Sequence, residues 1–84
     1  MPEIITEFKL KEGQRLTTIA EKYYGSKDYW VYIYEFNKSS ISDPDAVKIG
    51  TNIRVPRLGK DIVDINNPET LTKAHNKAAS YKKK

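Results

Sequence analysis

The chain has no cysteine, which removes at once a thiolate nucleophile, a zinc–thiolate site and a disulfide staple, and leaves its redox compartment open. It has a single histidine, His75, and neither a glycine-rich phosphate loop nor metal-ligand spacing, so no catalytic constellation and no cofactor can be read from it. With four glycines and four prolines it has no low-complexity linker, and no internal repeat emerges. No apolar run approaches the ~20 residues that a membrane span needs. The N-terminus, Met1-Pro2-Glu3-Ile4-Ile5, lacks a basic region followed by an apolar signal segment. That pattern fits a cytoplasmic protein and equally a domain excised from a longer parent.

Aromatic side chains are what the chain does have: six tyrosines, two phenylalanines and one tryptophan in 84 residues. A domain of this size buries only roughly 60% of its unfolded surface, so a few large side chains must make the core. The tyrosine hydroxyls and the indole N–H need polar partners, which predicts a core rimmed by tyrosines. The net charge of +4 is concentrated in the tail: residues 1–58 carry 9 Lys+Arg against 8 Asp+Glu, and residues 59–84 carry 6 against 3. The terminal Lys82-Lys83-Lys84 run reads as a solvated, frayed end.

From Thr6 to Leu10 apolar and polar residues alternate, with Phe8 and Leu10 on one face, as in a half-buried strand that Glu12-Gly13 breaks. Leu16, Ile19, Ala20 and Tyr23 recur at helical spacing, and Gly25 stops a first helix of about two to three turns. Ser26 or Asp28 can cap a second helix carrying Trp30, Ile33, Tyr34 and Asn37. Ser42-Asp43-Pro44-Asp45 has turn chemistry, and Ile49-Gly50-Thr51-Asn52 leads into the alternating Ile53-Arg54-Val55, which Pro56 ends. The expected fold class is therefore α+β, a βααβ unit over residues 6–58 whose two-stranded antiparallel sheet is covered on one face by both helices. Residues 59–84 form an extension: Asn67-Pro68-Glu69 is an N-cap, first-turn proline and first-turn acid, followed by a Leu71, Ala74, Ala78, Tyr81 stripe. The predicted helix near 68–81 is marginal alone at about 15 residues, so it must dock on the domain or on a partner chain.

The ordered series Phe8-Lys9-Leu10, Gly13, Leu16, Ile19-Ala20, Tyr23, Trp30, Ile33, Asn37, Gly50, Ile53, Val55-Pro56 resembles the LysM domain, in a bacterial subtype with an extended second loop. The resemblance covers about residues 6–58. It implies a non-catalytic carbohydrate-binding module for peptidoglycan or a chitin-like N-acetylglucosamine glycan, located at the cell envelope. In that family the glycan lies between the loop after the first strand and the loop before the second. By resemblance those loops are Gly13, Gln14, Arg15, Leu16 and Thr17, and Asp43, Pro44, Asp45, Ala46, Val47, Lys48, Ile49 and Gly50. Leu16 with Val47 or Ile49 would give an apolar floor, and Asp45 would accept from a sugar hydroxyl. Gly13-Gln14-Arg15-Leu16 departs from the family's usual Gly-Asp-Thr-Leu or Gly-Asp-Ser-Leu, losing a capping hydroxyl and placing a long cation beside the groove.

The run Tyr29-Trp30-Val31-Tyr32-Ile33-Tyr34-Glu35 with an added C-terminal helix also resembles LysM-like domains appended to histone-like DNA-binding proteins of Bacteroides-type bacteria. The alternative function is accordingly a protein-interaction or structural module without glycan binding. Direct nucleic-acid binding is not expected, because residues 1–58 are near neutral and the aromatics follow a helical core stripe. Off those stripes, Tyr24 and Tyr32 are the expected exposed contacts. Asp43 with Asp45, and Asp61 with Asp64, read as turn residues rather than an acid–base pair. Asn37, at a helix end, reads as structural, its amide pairing with unsatisfied backbone groups.

Overall fold

Two strands, β1 (Ile4–Lys9) and β2 (Asn52–Pro56), pair antiparallel in a computed structural model that describes residues 3–44 and 46–82. Thr6 faces Val55 and Phe8 faces Ile53 across the inner side; Glu7–Arg54 and Lys9–Asn52 alternate with them on the outer side. Outside, the Asn52 amide donates to the Glu7 carboxylate and Arg54 lies 3.4 Å from it, and these partners hold the Glu7 carboxyl below its ordinary value. The pairing continues past β1, with the Leu10 N–H donating to the Thr51 carbonyl and the Gly50 N–H to the Leu10 carbonyl, both at 2.8 Å. The strand begins two residues before the alternation at Thr6. A register shift between Ile4 and Thr6 leaves Ile5 as a bulge, and two consecutive isoleucines conceal the period-2 pattern there.

Helix α1 (Leu16–Tyr24) ends at Gly25, whose φ of +90° and N–H to the Glu21 carbonyl form a left-handed cap. A Cβ at Gly25 would also lie 2.9 Å from Ile65 Cγ2, so the post-β2 segment rests directly on this helix end. Ser26 Oγ then accepts from the Asp28 N–H, starting a 3-10 turn (Lys27–Tyr29) that runs into α2 (Trp30–Phe36). Helix α2 packs on β2, and α1 packs on α2 and on the turn between them. Leu16, Ile19 and Ala20 are buried as their spacing predicts, but Tyr24 rather than Tyr23 completes the stripe. This corrects the expectation that Tyr24 is an exposed contact: its hydroxyl reaches the sheet and donates to the Pro56 carbonyl, and burial pushes its pKa above the ordinary tyrosine value. Tyr32 is half-buried and stacks on fully buried Tyr29, with ring centroids 6.4 Å apart.

Helix α3 (Pro68–Lys82) starts where Asn67 Oδ1 accepts the Glu69 N–H, and it docks on the domain itself. Ala74 and Ala78 are buried, and their small side chains let the helix approach α2 and the 3-10 turn closely. Thr70, absent from the predicted stripe, is the polar anchor: its hydroxyl lies 2.8 Å from the Tyr29 hydroxyl and has its one proton shared between the Asp64 and Asn67 carbonyls, each 2.8 Å away. At the other end Tyr81 meets Tyr34 edge-to-face at 5.0 Å, and its hydroxyl donates to Glu35 Oε2 at 2.6 Å, beside Lys77 at 3.4 Å from the same oxygen. The described residues thus form an α+β architecture, with one two-stranded antiparallel sheet and three α-helices sharing a core cluster.

Asn37 joins the helical and sheet layers. From the end of α2 its Nδ2 donates to the Ile33 carbonyl at 2.7 Å and to the Arg54 carbonyl at 2.8 Å, while its Oδ1 accepts the Arg54 N–H at 2.9 Å. This agrees with the structural role expected of it.

Two predictions follow from these contacts. Asn37→Ala removes three hydrogen bonds and leaves backbone groups of β2 without partners, so urea unfolding should show a loss of about 2–3 kcal/mol; a loss within ~0.5 kcal/mol would show that water replaces the amide. The hydrogen bond to Glu35, with burial, pushes Tyr81 up to about 12. Because the folded value is raised, that contribution is complete below the ordinary tyrosine value of about 10 and is lost as pH climbs through the folded value. Ring-carbon NMR should find Tyr81 titrating near pH 12, and Glu35→Gln should bring it down; an unchanged midpoint in that variant would refute the pairing.

Candidate functional site

Two loops at one end of the sheet and helices frame a groove of about 420 Å³. The first joins β1 to α1. Its turn is closed by the Gln14 N–H donating to the Lys11 carbonyl at 3.1 Å and the Lys11 N–H donating to Gln14 Oε1 at 2.8 Å. Gly13 takes φ +86° within it, a conformation that a side chain strains. Arg15 follows in extended backbone (φ −135°, ψ 158°) at the N-cap of α1 without making a side-chain cap bond, since a guanidinium has no acceptor to offer the helix N–H groups, and the residue lines the groove. The second loop runs from α2 to β2. The Ala46 N–H donates to the Asp43 carbonyl at 3.0 Å, and the Thr51 N–H and hydroxyl both donate to the Lys48 carbonyl, at 3.1 and 2.7 Å.

Of the residues singled out from the sequence, Gln14, Arg15, Leu16 and Thr17 line one side of the groove, and Pro44, Ala46 and Val47 line the other. Gly13 shapes the first loop without lining the groove. Asp43 likewise lies outside the lining, exposed, with its carbonyl closing the local turn. Ile49 and Gly50 also fall outside it: Gly50 is tied by its N–H to Leu10 in the extended sheet pairing, and Ile49 is 67% exposed. Of the two candidates for an apolar floor beside Leu16, Val47 is therefore the one at the groove. Asp45 lies outside the described residues.

Sequence reasoning missed Trp30 as a groove residue. Its helical spacing placed it in the core, where it is 6% exposed, yet it also lines the groove. A signal was available: an indole has an apolar body and an N–H that favours the edge of a core over its centre.

The lining is chemically mild. It offers the Gln14 amide, the Thr17 hydroxyl and the Arg15 guanidinium beside apolar surface from Leu16, Trp30, Val47, Pro44 and Ala46. Among the described residues no group of three His, Asp or Glu side chains is placed to hold a metal ion. Such a groove can exchange a few hydrogen bonds and bury small apolar groups beside one cationic residue.

Arg15 gives the site its own stability test. Arg15→Thr supplies the missing cap acceptor in backbone that is already extended, so it should raise unfolding stability by about 0.5–1 kcal/mol while shortening the groove wall. No gain in thermal or urea unfolding would mean that water already caps α1. Comparison with protein-family models, with curated proteins and with solved structures returns no match for this chain.

Proposed function

We propose that this chain is a LysM-like βααβ domain with an added C-terminal helix, acting as a non-catalytic module that binds N-acetylglucosamine-containing glycan such as peptidoglycan at the cell envelope. The observation that carries this reading is the groove itself. It lies between the loop after the first strand and the loop before the second, with Gln14, Arg15, Leu16 and Thr17 facing Pro44, Ala46 and Val47. Those are the two loops the LysM resemblance implies.

The chemistry supports the same reading. An N-acetylhexosamine presents an N–H, a carbonyl and a methyl on one arm, together with hydroxyls and an apolar ring face. Amide and hydroxyl side chains can serve the polar groups, while Leu16, Val47 and the Trp30 ring receive the apolar ones. A shallow site with so few polar groups binds weakly, on the order of millimolar or about −4 kcal/mol. Tight attachment to a polymeric wall then comes from linked copies rather than from one groove.

Isotopically labelled protein titrated with N-acetylglucosamine tetramers and with muropeptides tests this directly. Saturable amide shifts at Gln14–Thr17 and at Ala46 and Val47, with movement of the Trp30 indole N–H, are expected. An unshifted spectrum at several millimolar ligand would sink the glycan reading and favour a protein-interaction module.

A further inference from the structure

A second concavity, about 580 Å³, adjoins the groove on the far side of Thr17 and Trp30, which line both. One of its walls is the 3-10 turn, through Lys27 and Asp28, and the other is α3, through His75, Ala78 and Ala79. We propose that the two concavities form one continuous site, and that a linear N-acetylhexosamine oligomer filling the first extends over Trp30 onto α3. This extension rests on the glycan reading above and assigns α3 a part in recognition that the βααβ unit alone would lack.

Three features argue for a sugar chain there. Thr17 and Trp30 are common to both hollows, so these two residues are the boundary that a ligand leaving the first crosses to reach the second. Ala78 and Ala79 carry only methyl groups, which keeps the α3 side of the hollow low while the longer Lys27, Asp28 and His75 side chains stand around it. Those three supply a donor, an acceptor and a ring that can do both, the complement that hydroxyl groups require. Lys27 and Asp28 also cancel in charge, which suits a neutral chain better than a phosphate or a nucleic-acid backbone.

The discriminating variable is oligomer length. N-acetylglucosamine dimer, tetramer and hexamer should be titrated into the labelled full chain and into two variants at exposed positions of α3, Ala79→Leu and His75→Ala. The hexamer should bind about tenfold more tightly than the dimer, equivalent to one or two added hydrogen bonds, and should alone shift the amides of Lys27, Asp28, His75 and Ala79. Leucine at 79 fills the hollow, so it should reduce hexamer affinity to that of the dimer and leave dimer binding at Gln14–Thr17 unchanged; His75→Ala should lose part of the length dependence. Shifts confined to the first groove at every length, or a hexamer advantage that survives Ala79→Leu, would overturn the extension while leaving the glycan reading intact. No shift at either hollow with any oligomer would overturn both.

Discussion

The side-chain amide of Asn37 is the constraint on which the rest of this small structure depends. A two-stranded sheet is marginal in water and needs another layer to hold it. Buried apolar side chains of α2 and β2, among them Ile33, Ile53 and Val55, share one core cluster, and apolar contact alone does not fix register. Asn37 fixes it by engaging both the N–H and the carbonyl of Arg54, as a neighbouring strand would, while its Nδ2 also holds the last turn of α2 through Ile33. The two bonds to Arg54 close the base of the 38–53 segment, so the loop carrying Pro44, Ala46 and Val47 leaves and returns at fixed points. The shape of the groove is therefore inherited from a buried amide that does not line it.

Tyrosine hydroxyls carry this logic through the remainder of the core. Tyr24 ties α1 to the end of β2, Tyr29 ties the 3-10 turn to Thr70 and Asp64, and Tyr81 ties α3 to Glu35 of α2. Each ring supplies apolar area that a chain of this size can obtain from few other sources, and each hydroxyl ends on a partner from a different element. Among the described residues no buried side-chain polar atom lacks a partner. The polar cost of a tyrosine-rich core is thus converted into inter-element bonds, and no disulfide is needed to tie α3 down.

Local signals in the sequence mark the elements well: the Gly25 stop, the Ser26 cap, the Asn67-Pro68-Glu69 start of α3 and the inward pairs of the two strands all stand where their chemistry indicates. What escaped depends on tertiary context. The start of β1 is hidden because a bulge at Ile5 interrupts the alternation. Tyr23 and Tyr24 are adjacent on a short helix, and only the position of the Pro56 carbonyl decides which one turns inward. Thr70 looks like an exposed helix residue until Tyr29 is placed against it. In the groove, the loop residues that follow a turn were legible, but Ile49 and Gly50 were not distinguished from them, because the Leu10–Gly50 bond joins positions 40 residues apart. Trp30 escaped because a helical stripe records which residues face inward, and says nothing of a ring whose edge emerges again at a groove.

Arg15 shows where folding and site chemistry part. Two other starts use a residue suited to them: serine before the 3-10 turn and asparagine before α3 each accept a backbone N–H, and α2 continues directly from that 3-10 turn. Helix α1 instead follows a residue in extended, capping backbone whose side chain makes no cap bond, a choice that forgoes about 1 kcal/mol in a domain with little stability to spare. Departures from local consistency concentrate where a side chain serves something other than the fold. Arg15 lies on the groove wall next to Gln14 and Leu16, so the place where the sequence gives up helix stability is also the place where the two loops open to solvent. That coincidence is independent of any resemblance, and it supports the proposal that these groove residues serve something other than the fold.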